Sequence, residues 1–321
     1  MKKNPTTIKV QRRDLEVLSG LFESRLMTSA HITQIYFAGK REAAKKRLQK
    51  LKAANLISER DRRAREQSVL FLARKGAFLL QEQGKLSTYR HPLAPFQKGT
   101  IKSDLMLRHE LEVMDVKVAF YAASQKSTGL NVRQFITRPP LYQFEVHTRG
   151  FGSSRTTVRP DGFMRFQKQE PIGNSTDHFF FLELDRSTEP LNVLVERTRC
   201  YSEYYKSGGF ALWNMADRAE YRSYPFRVLM IFKTKERRNN IAKCLLESRP
   251  PILTQACLST LEEVTTDPFG SIWICPSDYR EAFQGNKFNQ GQRNMRGGYR
   301  RHSERERILE ATIRKFPILW N

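Results

Sequence analysis

The sequence predicts a mixed α/β (α+β) chain, with an N-terminal winged helix-turn-helix followed by a larger domain of element order αβββαβ. Three observations carry this. Three short segments of helical period run into a hairpin pattern within the first 73 residues. After a proline-bearing stretch, a long helical segment is followed by three extended runs, a tyrosine-rich helix and another extended run. The charge is also uneven: residues 1–100 carry 22 basic and 8 acidic side chains, residues 101–284 carry 25 and 22, and residues 285–321 carry 9 and 3. The expected organisation is 1–84 as the first domain, 85–101 as linker, 102–284 as the α/β domain and 285–321 as a basic tail with a terminal helix.

Residues 14–27 place Leu15, Leu18 and Phe22 at i, i+3 and i+7, one apolar stripe of a first helix. Thr28 or Ser29 can cap a second, shorter helix that carries Ile32, Ile35 and Tyr36 and ends at Gly39. A third helix, Lys40 to about Asn55, turns Ala44, Leu48 and Leu51 inward. Lys40, Arg41, Lys45, Lys46, Arg47, Lys50 and Lys52 fall largely outside, with Glu42 the one acid among them. LISER and SVLFLA then form a hairpin around a tip containing Arg62, Arg63 and Arg65. In a winged helix the third helix enters the major groove and the wing touches phosphate. Lys40, Arg41, Lys45, Lys46 and Lys50, with Arg62, Arg63 and Arg65, are therefore the expected DNA-binding residues.

A formal charge of +23 and a pI near 10.1 call for a polyanionic partner. Nucleic acid is favoured over an anionic membrane, because the 21 Phe, 11 Tyr and 3 Trp are spread like core residues. The longest stretch without Lys, Arg, Asp or Glu is Leu26–Gly39, short of the roughly 20 residues a membrane helix needs. The N-terminus has no apolar run behind its positive start, so a cytoplasmic protein is expected. Cys200, Cys244, Cys257 and Cys275 form no CxxC pair and read as reduced, buried thiols. Neither HExxH nor GxxxxGK[ST] occurs, which disfavours zinc catalysis and ATP-driven mechanisms.

Beyond a helix at about 75–83, residues 85–100 carry two prolines and little periodicity. The next helix, Ser103 to Ser124, has Leu111, Met114, Val118 and Tyr121 on its apolar stripe and Glu110 beside it. Extended runs are expected at Val132–Ile136, Thr156–Phe166, His178–Asp185 and Phe226–Thr234, with a helix Val193–Lys206 before the last. A further strand is expected at Ser271–Cys275. Tyr201, Tyr204 and Tyr205 could be nucleophiles, but at helical spacing they read better as packing on a sheet. The tail is read as a phosphate-binding arm closed by a helix with a Ser303/Glu306 capping box.

The residues able to do chemistry are Asp161, in Arg159-Pro160-Asp161-Gly162, and Glu183 and Asp185, in Phe181-Leu182-Glu183-Leu184-Asp185. A Pro-Asp followed some twenty residues on by Glu-x-Lys is the pattern of PD-(D/E)xK, restriction-endonuclease-like folds, whose carboxylates bind Mg²⁺. Glu183 and Asp185 are two apart on a strand and share a face. Asp161, Glu183 and Asp185 are the expected ligands of Mg²⁺ or Mn²⁺, with Glu110 as a further carboxylate. The lysine of the pattern is replaced by Asp185, and arginine cannot act as the base in its place. The residues leave open either a metal site completed by a third carboxylate or a scaffold that does not cleave.

REAAKKRLQKLKAANLI, RHELEVMDVKVAF, RPDGF, and FLELDRSTEP with RTRCYSEYY together resemble the replication-relaxation proteins of plasmids and mobile elements, which include MobC-type mobilisation relaxases. The most specific part is RPDG with the Glu-x-Asp form at Glu183 and Asp185, which is usual in that family. The resemblance implies a winged helix joined to a restriction-endonuclease-like domain that acts on plasmid DNA at a replication or transfer origin. The expected partners are double-stranded DNA and the replication or transfer machinery, with a homodimer left open. Two functions are carried forward: a metal-dependent nickase or relaxase, and a non-catalytic replication or transcription regulator on a nuclease-like scaffold.

Overall fold

A computed structural model describes residues 8–61, 66–87, 89, 103–148, 154–170, 173–280 and 313–319. The wing residues Arg62, Arg63 and Arg65, most of the expected linker, the GFGSS stretch up to Ser153 and the Ser303/Glu306 box lie outside these. The chain divides into two compact units, one of residues 1–143 and 159–164, the other of 144–158 and 165–321.

The first unit opens with α1 (Arg12–Ser24), a two-residue β1 (Met27–Thr28), α2 (Ser29–Phe37) and α3 (Arg41–Ala53). Thr28 is the N-cap of α2, its hydroxyl accepting from the His31 amide at 3.1 Å. After Ala38 in the left-handed region, Gly39 at φ +76° carries the chain into α3, a turn glycine makes without steric cost. β2 (Ile57–Glu59) and β3 (Val69–Leu72) pair antiparallel with Ile57 opposite Leu72, and β1 joins the other edge of β3, giving the order β1-β3-β2. α4 (Arg74–Glu82) follows. Val17, Leu18, Leu21, Phe22, Leu48, Leu51, Leu70, Leu72 and Leu80 form one continuous core.

α5 (Asp104–Lys126) is capped by Ser103, whose hydroxyl accepts from the Met106 amide at 3.2 Å. It packs against α2 and against β4 (Leu130–Ile136). Its buried residues are Glu110, Val113, Met114, Val116, Lys117, Phe120 and Ser124; of the expected stripe Met114 is buried, and Leu111, Val118 and Tyr121 are only partly so. A lysine and a glutamate among them disguised the buried face: their polarity drew the apolar pattern to the flank.

A short 3-10 turn (Pro139–Leu141) ends this stretch, and in the second unit β5 (Phe144–Thr148) and β6 (Ser154–Val158) make an antiparallel hairpin with Phe144 opposite Val158. The expected strand 156–166 is two strands, because Arg159-Pro160-Asp161 ends β6 at Val158 and β7 (Gly162–Gln169) begins afterwards. Proline has no amide hydrogen to give a ladder. β7 starts with residues of the first unit and continues in the second.

The second unit continues with β8 (Ser175–Asp185), α6 (Leu191–Lys206), α7 (Gly209–Trp213), a 3-10 turn (Arg218–Ser223), β9 (Phe226–Phe232), α8 (Lys235–Glu247), β10 (Ala256–Thr260) and α9 (Leu261–Thr266). β8, β9 and β10 run parallel, with Glu183 beside Met230 and Leu258 beside Met230 on its other edge. Parallel strands joined by helices are buried on both faces, as the uninterrupted burial of β10 and the inner part of β8 shows. Sequence patterning missed β5, α8 and β10. The expected strand 271–275 is reduced to isolated bridges, Leu258 with Ile274 and Trp273 with Phe316. The second bridge docks residues 313–319 on the sheet, so the last described part of the tail is anchored to this unit.

Candidate functional site

On α3 the buried side is Ala44, Leu48 and Leu51. Lys40, Arg41, Lys45, Lys46 and Lys50 are exposed and make no ion pair with any described residue. Two bases counted with them in the sequence have other work. Arg47 donates from Nε to the fully buried Asp14 at 2.7 Å, and Nη2 also reaches that carboxylate. Lys52 donates to Glu59 at 2.6 Å. These two cations tie α3 to α1 and to β2, while the remaining five leave an uncompensated positive ridge.

Packed against α2, α5 holds the polar interior of the first unit. Glu110 is 8% exposed and accepts from Arg25 Nη1 at 2.6 Å. Burial pushes its carboxyl above the usual range, against the pull of Arg25 and His109 and with the push of nearby Asp161. Asp161 sits in the loop after Pro160 and meets His109 Nε2 at 2.8 Å. Lys117 is fully buried and donates to Ser24 Oγ and to the Phe135 carbonyl, both at 2.6 Å, with Glu23 at 3.9 Å. Burial pulls its ammonium down to about 8, and Glu23 opposes that.

The other two carboxylates belong to the second unit. Glu183 and Asp185 are 4% and 7% exposed, on one face of β8 as their alternation requires. Glu183 accepts from Tyr201 at 2.5 Å on one oxygen and from Arg197 Nη1 at 3.1 Å on the other. Arg197 Nη2 bridges on to Glu189 at 2.9 Å. Asp185 accepts from Arg237 Nε at 2.8 Å and Nη2 at 3.4 Å, and Arg237 also donates to the Glu189 carbonyl. Glu183, Arg197 and Glu189 thus form a chain of ion pairs, and the Asp185–Arg237 pair joins it through the Glu189 carbonyl.

The sequence-derived carboxylates therefore fall two to a unit: Glu110 with Asp161, and Glu183 with Asp185. Each already carries a base. Among the described residues no three of His, Cys, Asp and Glu are grouped so as to hold a metal ion; Glu110, Glu183 and Asp185 each hold a guanidinium and Asp161 an imidazole. Sequence reasoning missed Arg25, His109, Arg197 and Arg237. Arg197 had a local signal, since it and Tyr201 are four apart on α6 and reach the same carboxylate. Arg237 had none, being 52 residues from Asp185. Tyr204 stacks on Phe144 at 3.9 Å, in a cluster with Phe181, Phe210 and Phe226. Both Tyr201 and Tyr204 are core residues.

No described helix is long and apolar enough to cross a membrane. The sequence model of one protein family, described as replication-relaxation, matches residues 18–213, more than half of the chain. The matched span includes the α3 ridge, Asp161, Glu183, Asp185 and Arg197 and stops before Arg237. No curated protein and no solved structure is detectably similar.

Proposed function

The chain belongs to the replication-relaxation family, and from that premise we propose that it is a DNA-binding replication protein of a plasmid or mobile element, whose first domain is a winged helix-turn-helix with α3 in the major groove of an origin. The observation that carries this is the α3 ridge: five exposed cations without ion pairs, on a helix whose opposite side is locked into the core. A solvated helix face ordinarily carries acids three or four residues from its bases, and here only Glu42 is available. The three-helix order closed by β2 and β3 is the frame in which a third helix is presented to a groove. Arg62, Arg63 and Arg65 extend the same contact to the flanking phosphates.

The second domain is then a nuclease-like scaffold that does not cleave, because arginines occupy the carboxylates. A second reading, metal-dependent nicking as in MobC-type relaxases, is favoured by the burial of Glu183 and Asp185 side by side. In it Asp161, Glu183, Asp185 and Glu110 remain the sequence-expected carboxylates for Mg²⁺ or Mn²⁺, and His109, Arg197, Arg237 and Arg25 would have to give them up.

Binding of the full chain to origin duplex, titrated against salt, tests the first reading. Each phosphate neutralised contributes about 0.9 to the slope of log K on log salt. Lys45→Ala with Lys46→Ala should lower the slope by close to 2, and a slope unchanged by that pair overturns the placement of α3. Supercoiled origin plasmid incubated with Mg²⁺ or Mn²⁺ separates the two readings: nicking by the wild type and not by Glu183→Gln establishes the second, and an intact plasmid establishes the first.

A further inference from the structure

Away from both clusters, the second unit brings two of its four cysteines together. The bridge between Leu258 of β10 and Ile274 is antiparallel and exchanges both backbone hydrogen bonds, Leu258 N–H to Ile274 O at 2.8 Å and Ile274 N–H to Leu258 O at 3.0 Å. One step outward, Cys257 therefore faces Cys275 as a non-hydrogen-bonded pair. That is the position where opposed Cα atoms come closest, about 4.5 Å apart, and their side chains stand on the same face. This separation lies at the short end of the roughly 4.4–6.8 Å window that a disulfide spans. Each thiol is the largest influence on the other's proton affinity, as two sulfurs facing each other across this pair would be.

The surroundings favour chemistry on one sulfur. On the neighbouring strand β9, Arg227 stands two residues before Leu229, the residue paired with Cys257, and so on the same face of the sheet. The Cys275 thiol and the Arg227 guanidinium draw the Cys257 thiol below its usual range, while Cys257, burial and nearby Asp278 hold the Cys275 proton on. Arg227 on the same face makes Cys257 the sulfur better placed to attack as a thiolate, with Cys275 opposite it to resolve. Burial raises Cys200 on α6 and Cys244 on α8 instead.

We propose that Cys257 and Cys275 are a redox-modification site that closes to an intrachain disulfide when the protein meets a small peroxide. The Cys257 thiolate attacks one peroxide oxygen and becomes a sulfenic acid as the O–O bond breaks and, with a proton, water leaves. The Cys275 sulfur, losing its proton, attacks the sulfenic sulfur and expels a second water. Two thiols lose two electrons, and one hydrogen peroxide becomes two waters. Burial of both sulfurs makes the reaction slow and confines it to small oxidants. The product staples β10 to the segment whose Trp273 holds Phe316, and so fixes residues 313–319 against the sheet. The site is independent of the DNA-binding reading, for its residues lie beyond the family match.

The test uses the full chain and hydrogen peroxide. After oxidation, quenching and denaturation, free thiols are alkylated and peptides are mapped without and with reductant. The expected result is loss of two of the four alkylatable thiols, a linked Cys257–Cys275 peptide that dithiothreitol releases, and a melting temperature raised by about 5 °C in the oxidised form. In Cys257→Ser, Cys275 should stay alkylatable, and Cys200→Ser with Cys244→Ser should form the link as the wild type does. Four thiols still alkylatable in the wild type, or links that involve Cys200 or Cys244 instead, overturn the proposal without requiring any variant to fold.

Discussion

Replacing Arg237 by methionine keeps most of its hydrocarbon stem and removes only the guanidinium that faces Asp185. Side-chain exposures of 5% for Asp185 and 18% for Arg237 leave the carboxylate little access to water. Breaking a buried pair by removing one partner costs about 3–5 kcal/mol, chiefly because a charge is left uncompensated. A unit of this size loses roughly 2–4 °C of melting temperature per kcal/mol, so Arg237→Met should melt about 10 °C lower than the wild type. Asp185→Asn with Arg237→Met removes both charges and should recover most of that loss, since replacing both partners is often close to neutral. The lost bond to the Glu189 carbonyl is common to the single and the double variant and cancels between them. Melting curves with and without magnesium give a third arm: an ion that takes the place of Arg237 would restore the single variant, and restoration would favour the metal-binding reading of Glu183 and Asp185. A single variant that melts within a degree or two of the wild type, or a double no better than the single, refutes the account of Arg237 as the counter-ion of this face.

Lys117 should make stability depend on alkaline pH. Held at about 8 in the fold and at its ordinary 10.5 when unfolded, it binds fewer protons in the native state between those values, so stability rises with pH there by up to about 3 kcal/mol and is least favoured below pH 8; the difference between wild type and Lys117→Met in denaturant titrations from pH 7 to 10.5 should show that rise, and a flat difference refutes it. Gly76 lets α4 approach the hairpin: a Cβ there would lie 2.2 Å from the Leu56 carbonyl oxygen, which also accepts from the Ala73 amide at 3.1 Å. Gly76→Ala should cost about 1–3 kcal/mol by equilibrium unfolding despite alanine's better helix propensity, and a neutral or stabilising result would show that α4 can shift freely.

The sequence by itself determined the parts that depend on near neighbours. Apolar spacing located α1 to α6 to within a few residues, Thr28 was one of the two caps offered for α2, and strand alternation put Glu183 and Asp185 on one face. It also showed that Lys40, Arg41, Lys45, Lys46 and Lys50 had only Glu42 as an acidic neighbour close in the chain, which is why their exposure on α3 could be anticipated. Where one element carried two signals the sequence failed: Pro160 split a single apparent strand, and Lys117 and Glu110 on the buried stripe of α5 turned the expected face. The β5–β6 hairpin and β10 were missed for a related reason, since one is half polar and the other is a short apolar run of the kind that helix and strand share. Only the tertiary structure decided what the carboxylates face. Arg25 lies 85 residues from Glu110, His109 lies 52 from Asp161, and Arg237 lies 52 from Asp185. The charge of a side chain is written in the sequence, but its partner is set by which strands and helices meet. At such separations no local periodicity carries that information, and the choice between a metal site and an arginine-filled scaffold falls to the packing of elements that the chain brings together from far apart.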